Sequence, residues 1–166
     1  MNAGVAVYVG IGSNIDPERH VRMALAQLER RFGGVRSSRV YRTPAVGFQG
    51  DAFLNLVAGF RTRDDVDAVA RTLRDIEDLA GRRREGERFG PRTLDLDLLL
   101  YGDAVIRRDG LEIPRPEILE QAFVLGPLAE LAPDFTHPRL GRPLGALWEA
   151  FPGERNLEPV DLGANR

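Results

Sequence analysis

The sequence predicts an α+β fold: a ferredoxin-like sandwich in which an antiparallel sheet carries helices on one face, followed by a C-terminal extension. Three segments, 5–12, 53–60 and 93–101, alternate apolar residues with other residues, which is the period of a strand. Two segments, 17–32 and 64–80, repeat apolar residues as one face of a helix does. With a short strand after the first helix, the order is β-α-β-β-α-β, which is typical of this sandwich.

Local signals bound the elements in the first part of the chain. Asp16 and Pro17 predict a capped helix start, and Gly33 predicts the end of that helix. The polar segment 38–43 is predicted as an edge strand, and 44–52 as a loop because it holds proline and glycines. Further along, 81–92 is a charged loop, and a short apolar helix is predicted at Phe123–Leu131.

Composition limits the class of protein. The chain has 166 residues and a net charge of −2, which suits one domain over 1–166, with a core at 5–140 and an extension at 141–166. The absence of cysteine excludes disulfides, a thiolate nucleophile and a cysteine zinc site. No apolar run approaches the ~18–20 residues of a membrane helix, and the N-terminus lacks the basic start of a signal peptide. We expect a cytoplasmic monomer with no membrane or nucleic-acid partner.

Asp95 and Asp97 stand two residues apart in a predicted strand, so both carboxylates point to one face while leucines enter the core. Carboxylates at this spacing can hold Mg²⁺, whose shell is completed by waters and substrate phosphates. The plain alternative is the solvated face of an amphipathic strand. His20 and His137 are isolated in the sequence, and we expect both at the surface.

The other two predicted strands also have one apolar face and an opposite face that carries residues of other types. Gly10 and Gly12 lie on the second kind of face in the first strand, and Phe53 and Asn55 in the next. If helices cover the apolar faces of the strands, these residues share the opposite surface with the aspartates, and a site is expected there. The ring of Phe53 beside the amide of Asn55 suits a flat heterocyclic ligand. The alternative is that Phe53 is only half-buried in the fold and that Asn55 has a structural role. A tight turn explains the two glycines sufficiently.

Five arginines lie in the loop just before the aspartates: Arg82, Arg83, Arg84, Arg88 and Arg92. Guanidinium groups pair with phosphate oxygens in a fork geometry, and the glycines of this loop would let it close over a polyphosphate. Cations beside metal-binding carboxylates predict a nucleoside triphosphate site. A solvated charge run, or one that binds RNA, is the alternative.

The string ERFGPRTLDLDLLLYG, with GIGSN near the N-terminus, resembles the hydroxymethyl-dihydropterin pyrophosphokinase family. YRTPAVG, FLN and FVLGPLAELAP fall where that family has its other motifs, so the resemblance covers residues 5 to 140. It implies transfer of pyrophosphate from ATP, as co-substrate, to 6-hydroxymethyl-7,8-dihydropterin in folate biosynthesis, with AMP as the second product.

The resemblance also implies roles for particular residues. Asp95 and Asp97 would bind two Mg²⁺ ions and, with Arg82 and Arg92, form the catalytic set. The residues implied in pterin binding are Thr43, Pro44, Val46, Gly47, Phe53, Asn55 and Phe123. The residues implied in ATP binding are Arg74, Glu77, Arg82, Arg84, Phe89, Arg92, Leu98, Arg115 and Gln121.

The chain departs from the family pattern at several positions. Phe53 and Phe89 stand where tyrosine and tryptophan are common, and both keep an aromatic ring. Arg115 and Gln121 stand where the family usually has histidine and arginine. Because prolines flank Arg115 and hold its backbone extended, we expect its long side chain to reach the triphosphate and compensate for Gln121.

Two other functions stay open at this point. A ferredoxin-like RNA-binding module would also carry aromatic residues on its sheet beside a basic loop, but two aspartates on that face would repel a phosphate backbone. A nucleotidyl cyclase or polymerase-like site with two metals would not need the Phe53, Asn55 and Phe123 pocket.

Overall fold

The computed structural model describes residues 4–43, 53–81, 94–108 and 110–162. Its elements, in chain order, are β1 (Val5–Ser13), α1 (Pro17–Phe32), β2 (Arg36–Ser37), β3 (Val40–Thr43), β4 (Phe53–Thr62), α2 (Val66–Leu79), β5 (Asp95–Tyr101), β6 (Ile106–Arg108), β7 (Leu111–Ile113), α3 (Glu117–Glu120), α4 (Ala122–Leu131), α5 (Leu144–Glu149) and β8 (Glu158–Val160). Among the described residues, no helix is both long enough and apolar enough to span a bilayer.

The main sheet has the strand order β5-β1-β4-β3-β8, and all of these neighbours are antiparallel. β2 pairs with β4 outside this path, and β6 and β7 form a separate hairpin. Four consecutive strands of this path, β5-β1-β4-β3, have the order expected when two β-α-β units interlock as predicted. The ferredoxin-like fold is therefore confirmed.

The apolar faces of the strands form the core together with α1 and α2. Ile11 of β1 and Leu56 of β4 are fully enclosed there, with Leu28 of α1 and Ile76 of α2 packed in the same cluster. Burying each such side chain stabilises the fold by about 1.5–3 kcal/mol relative to exposure. The alternation of the strands thus fixes which face the two helices cover, and it leaves the other face for the chain after residue 110.

Helices also pack on the second face, which the prediction of helices on one face did not include. Tyr8 and Val57 of that face form a second apolar cluster with Leu125 of α4 and Leu147 of α5. A register shift between β1 and β5 adds one residue to β5, so that Leu99 and its neighbour both join this cluster. α4 and α5 therefore cover one half of the second face, and no helix among the described residues covers the other half.

The prediction of an edge strand at 38–43 is wrong. β3 pairs with β4 on one side and with β8 on the other, where Tyr41 lies opposite Pro159. Because β8 is three residues long and contains a proline, it gives no readable strand pattern, and proline is tolerated there because β8 is itself at the edge. Residues 144–160 thus belong to the folded body, with Leu144 fully buried.

The start of α1 differs from its prediction in one detail. Asp16 has a left-handed backbone with φ of 48°, and its side chain makes no capping hydrogen bond. Its carboxylate instead accepts from Arg19 Nε at 2.8 Å. In ordinary caps the backbone is extended, which aims the side chain at the first free amides of the helix. The helix ends at Gly33 with a φ of 78°, as predicted.

Both histidines are buried, so the prediction of surface roles is wrong. His20 is 4% exposed and its Nδ1 lies 2.7 Å from the carbonyl oxygen of Ile15. His137 is 2% exposed, and its Nδ1 accepts from the backbone amides of Arg139 and Leu140 at 3.2 and 3.3 Å. Burial lowers the pKa of His137, and the charge of Arg139 lowers it further. Each histidine ring thus forms its hydrogen bonds with backbone groups close to it in sequence.

Candidate active site

A cavity of about 420 Å³ opens on the uncovered half of the second face. This volume lies within the range of pockets that hold small organic ligands. The lining combines main chain, aromatic rings, amides and charges: Gly10, Ile11, Gly12, Thr43, Phe53, Asn55, Leu56, Val57, Asp95, Asp97, Leu99, Arg115, Glu117, Gln121, Phe123 and Val124. The cavity lies opposite the apolar strand faces, on the surface where a site was predicted.

Glycines form the floor of the cavity. Gly12 pairs with Asn55 on one side and with Asp95 on the other, and Gly10 pairs with Asp97. A Cβ at Gly12 would lie 3.0 Å from Asn55 Oδ1, closer than ordinary contact. The interpretation of these glycines as a tight turn is therefore wrong, since both lie within β1 and keep the space between amide and carboxylates empty of side chains.

The amide end of the cavity is rigidly built. Asn55 is 8% exposed, and its Nδ2 donates to Thr43 Oγ1 at 2.7 Å. This bond orients the amide and leaves Oδ1 as the atom that can accept a hydrogen bond from a ligand. Phe53 and Phe123 line the same cavity, from β4 and from the start of α4. The arrangement suits a flat, polar ring.

The opposite end is acidic. Asp95, Asp97 and Glu117 line it with a single cation, Arg115, among the described lining residues. Arg115 Nη2 lies 3.7 Å from Asp97 Oδ1, and its Nε lies 3.2 Å from Glu117 Oε1. Glu117 was not predicted as a site residue. Its position in the sequence, two residues after Arg115, was the signal that could have identified it. The surplus of carboxylates favours a cation at this end.

A hard divalent cation fits this donor set. Asp95 and Asp97 offer oxygen ligands beside a glycine floor, which places no side chain between them and Asn55. No cluster of three or more histidine, cysteine, aspartate or glutamate residues with metal-binding geometry occurs among the residues that the structure describes. Waters and ligand oxygens would have to complete the coordination shell, which is how Mg²⁺ is usually held.

Three predicted ATP residues lie outside the cavity. Leu98 is 6% exposed on the helix-covered face, because its parity in β5 is opposite to that of Asp97. Glu77 is 7% exposed, and its carboxylate accepts from the Leu96 amide at 2.7 Å, at the edge of the sheet. Arg74 lies exposed on α2. Their contact with ATP stays a prediction, and none of these side chains is placed in the cavity.

The remaining predicted residues lie outside the described residues. They are Pro44, Val46, Gly47, Arg82, Arg84, Phe89 and Arg92. Of the predicted residues that are described, eight line the cavity together: Thr43, Phe53, Asn55, Asp95, Asp97, Arg115, Gln121 and Phe123.

Comparison with known proteins identifies a family that matches most of the chain. The family model described as 7,8-dihydro-6-hydroxymethylpterin-pyrophosphokinase (HPPK) matches residues 8–133. The 2-amino-4-hydroxy-6-hydroxymethyldihydropteridine pyrophosphokinase of a Synechocystis strain is 38% identical over 171 residues, which cover 94% of this chain and 87% of that protein. The protein of the same name from Pseudomonas aeruginosa is 39% identical over 152 residues, which cover 89% and 93%.

Solved structures agree on the fold. The crystal structure of wild-type Plasmodium falciparum HPPK-DHPS matches with a TM-score of 0.72 and 14% identity, over 91% of this chain and 45% of that one. This chain therefore spans less than half of that protein, and at such identity the likeness concerns the fold alone.

Fold and cavity together define a ferredoxin-like α+β protein with an acidic, small-molecule pocket on its sheet. Since the family model covers most of its length and relatives reach 38% and 39% identity, the chain belongs to the 7,8-dihydro-6-hydroxymethylpterin-pyrophosphokinase family.

Proposed function

We propose that this chain transfers pyrophosphate from ATP to 6-hydroxymethyl-7,8-dihydropterin, forming AMP and the pterin pyrophosphate in folate biosynthesis. One observation carries the proposal: a ring-binding end with Phe53, Asn55 and Phe123 and an acidic end with Asp95 and Asp97 share one cavity. Family membership supports it independently. A site for one substrate alone would not need both ends.

The pterin lies at the amide end. Phe53 and Phe123 contact its flat faces, and Asn55 Oδ1 accepts from its polar edge while Thr43 holds Nδ2. Pro44, Val46 and Gly47, which follow Thr43 in sequence, are assigned to the pterin by family membership. The glycine floor then directs the hydroxymethyl group toward the aspartates.

The triphosphate lies at the acidic end. Asp95 and Asp97 hold two Mg²⁺ ions, which neutralise charge on the phosphate oxygens when bound. Arg115 and Gln121 line this end, with Arg74, Glu77 and Leu98 assigned to ATP by family membership. Arg82, Arg84, Phe89 and Arg92 belong to the same nucleotide site, Arg82 and Arg92 with catalytic roles.

The reaction needs no protein nucleophile. The hydroxymethyl oxygen releases its proton to solvent and bonds to the β-phosphorus, while the bond from that phosphorus to the oxygen bridging the α-phosphate breaks and AMP leaves. Such transfers depend on positioning and electrostatic stabilisation. Asn55 and the two rings orient the attacking oxygen, and the carboxylates and arginines set the field around the phosphates.

An assay of AMP release from ATP, dependent on hydroxymethyl-dihydropterin, tests the proposal. Asp95→Ala or Asp97→Ala should lower kcat by roughly a hundredfold or more, the order seen when one preorganised electrostatic group is lost. Asp103→Ala, an exposed position just beyond β5, serves as the matched control. Unaltered circular dichroism is expected, because the neighbouring leucines hold the strand. AMP release that ignores the pterin, or persists in both variants, contradicts the proposal.

The proposal extends to the location, the oligomeric state and the partners of the chain. The chain acts on small molecules as a cytoplasmic monomer, a single domain over 1–166. RNA binding is disfavoured because Asp95 and Asp97 lie in the same cavity as the rings, where they repel a phosphate backbone. An RNA titration with and without Mg²⁺ measures this directly, and tight metal-independent binding would speak for the alternative.

A further inference from the structure

Arg115 is held between two carboxylates. Its backbone amide donates to the carbonyl of Leu99 at 3.0 Å, which fixes the residue to β5. Its guanidinium lies near Asp97 on one side, at 3.7 Å, and near Glu117 on the other, at 3.2 Å. The backbone is therefore anchored, and only the side chain can shift between the two partners.

Neither contact satisfies the guanidinium. Arg115 Nε and Glu117 Oε1 are buried, and despite their separation of 3.2 Å they are too poorly aligned for a hydrogen bond. The distance of 3.7 Å to Asp97 is also longer than a hydrogen bond of this type. Buried polar groups are normally paired, so an arginine shared in this way is poised to move fully to one carboxylate.

We propose that Arg115 is the built-in counter-ion of Asp97, which a divalent cation must displace, and that Glu117 is the positioning residue that then receives Arg115. The inference rests on Asp97 being a metal ligand, as in the proposed function. A cation at Asp97 repels the guanidinium, and Glu117 lies on its other side. Arg115 then remains beside the site with its charge available to phosphate.

This arrangement predicts effects of opposite sign on metal and on nucleotide. Without Arg115, a cation meets one competitor fewer at Asp97, so metal binds more tightly, whereas an ATP analogue loses a cation and binds more weakly. Because the side chains of Arg115 and Asp97 are 36% and 48% exposed, solvent screens the pair. We expect a change in metal affinity of about two- to fivefold, as for other partly exposed pairs.

Titration of Mn²⁺ into the full chain without nucleotide, followed by electron paramagnetic resonance, tests the inference. Arg115→Gln should bind Mn²⁺ about two- to fivefold more tightly than wild type, and Arg115→Lys should return toward wild type. Glu117→Gln should bind Mn²⁺ more weakly, because Arg115 then turns wholly to Asp97. The double variant should match Arg115→Gln alone, since Glu117 acts only through Arg115.

Arg19→Gln makes the same charge change on α1, where its partner Asp16 lies outside the cavity, and corrects for net charge. If Arg115→Gln binds Mn²⁺ no more tightly than this control, the counter-ion role is overturned. A Glu117 effect that survives in the double variant overturns its positioning role. Mn²⁺ binding unchanged by Asp97→Ala also refutes the inference. The proposed function is scored separately by AMP release, so either can fail while the other stands.

Discussion

The amide of Asn55 donates to the hydroxyl of Thr43 across two neighbouring strands, at 2.7 Å and with both residues buried. The bond holds the amide in place, with Nδ2 toward Thr43 and Oδ1 toward Gly12. Without it, the side chain of Asn55 could rotate away from a ligand that hydrogen-bonds to the amide. Thr43 thus positions the amide at the ring-binding end.

Thr43→Val should weaken pterin binding by about two- to tenfold, because it removes one net hydrogen bond that orients Asn55. Binding of an ATP analogue should not change. Thr43→Ser keeps the hydroxyl and should bind the pterin as wild type does. Calorimetric titration of each ligand measures both effects, and equal losses for Val and Ser would show that shape, not the hydroxyl, matters.

The two floor glycines should differ in their response to alanine. At Gly12 the added methyl would lie 3.0 Å from Asn55 Oδ1, and it should weaken pterin binding by displacing the amide. At Gly10 the nearest atoms belong to Leu99 at 3.6 Å, an ordinary contact, so Asn55 should stay in place. A larger loss of pterin affinity for Gly12→Ala than for Gly10→Ala is expected. The reverse order would contradict this account of the floor.

Phe123→Ala should raise the pterin Kd by roughly one to two orders of magnitude, taking ring stacking at about 1–3 kcal/mol. ATP-analogue affinity should change little. Phe123→Tyr keeps the ring and should retain most of the affinity. Equal weakening of both ligands by the alanine variant would mean that Phe123 supports the fold and is not a stacking surface.

His137 should make stability depend on pH. Its pKa is lowered by burial in the folded state, whereas the unfolded chain has the ordinary value of about 6.5. The unfolded state therefore binds more protons below that pH, so this contribution is complete above about 6.5 and is lost as pH falls. His137→Asn offers an amide oxygen in place of Nδ1 and cannot titrate.

Urea unfolding at several pH values measures this dependence. The difference in unfolding free energy between wild type and His137→Asn should shrink as pH decreases from 7.5 to 5, in line with the lowered pKa of His137. A constant difference would show that His137 does not titrate differently in the two states.

The parts of the fold that could be predicted are those that a local pattern encodes. Alternation in β1, β4 and β5 fixed the strands and their faces, so the aspartates and Asn55 were expected on one surface, and they line one cavity. The covering of half that surface by α4 could not be predicted, because it depends on the extra residue in β5 that brings Leu99 and Leu100 together.

Pairing between distant segments limited the prediction of the rest. β8 has three residues and a proline, and only its pairing with β3 makes it a strand. His20 and His137 are buried and form hydrogen bonds with nearby backbone groups. This arrangement leaves no periodic pattern in the sequence. Glu77 likewise has a charged side chain of the kind usually found at a surface. It is buried, and its carboxylate accepts a hydrogen bond from the backbone amide of Leu96 at the edge of the sheet.

The glycine floor has a consequence for how this protein could escape an inhibitor. A compound resting on Gly10 and Gly12 would touch main chain, whose atoms are the same for every amino acid. Any substitution there only adds volume, and that volume would obstruct the natural substrate along with the compound. Resistance would then have to arise at lining side chains without an assigned role, such as Val124, which can change while the floor stays intact. A compound confined to the floor would therefore leave few routes to resistance.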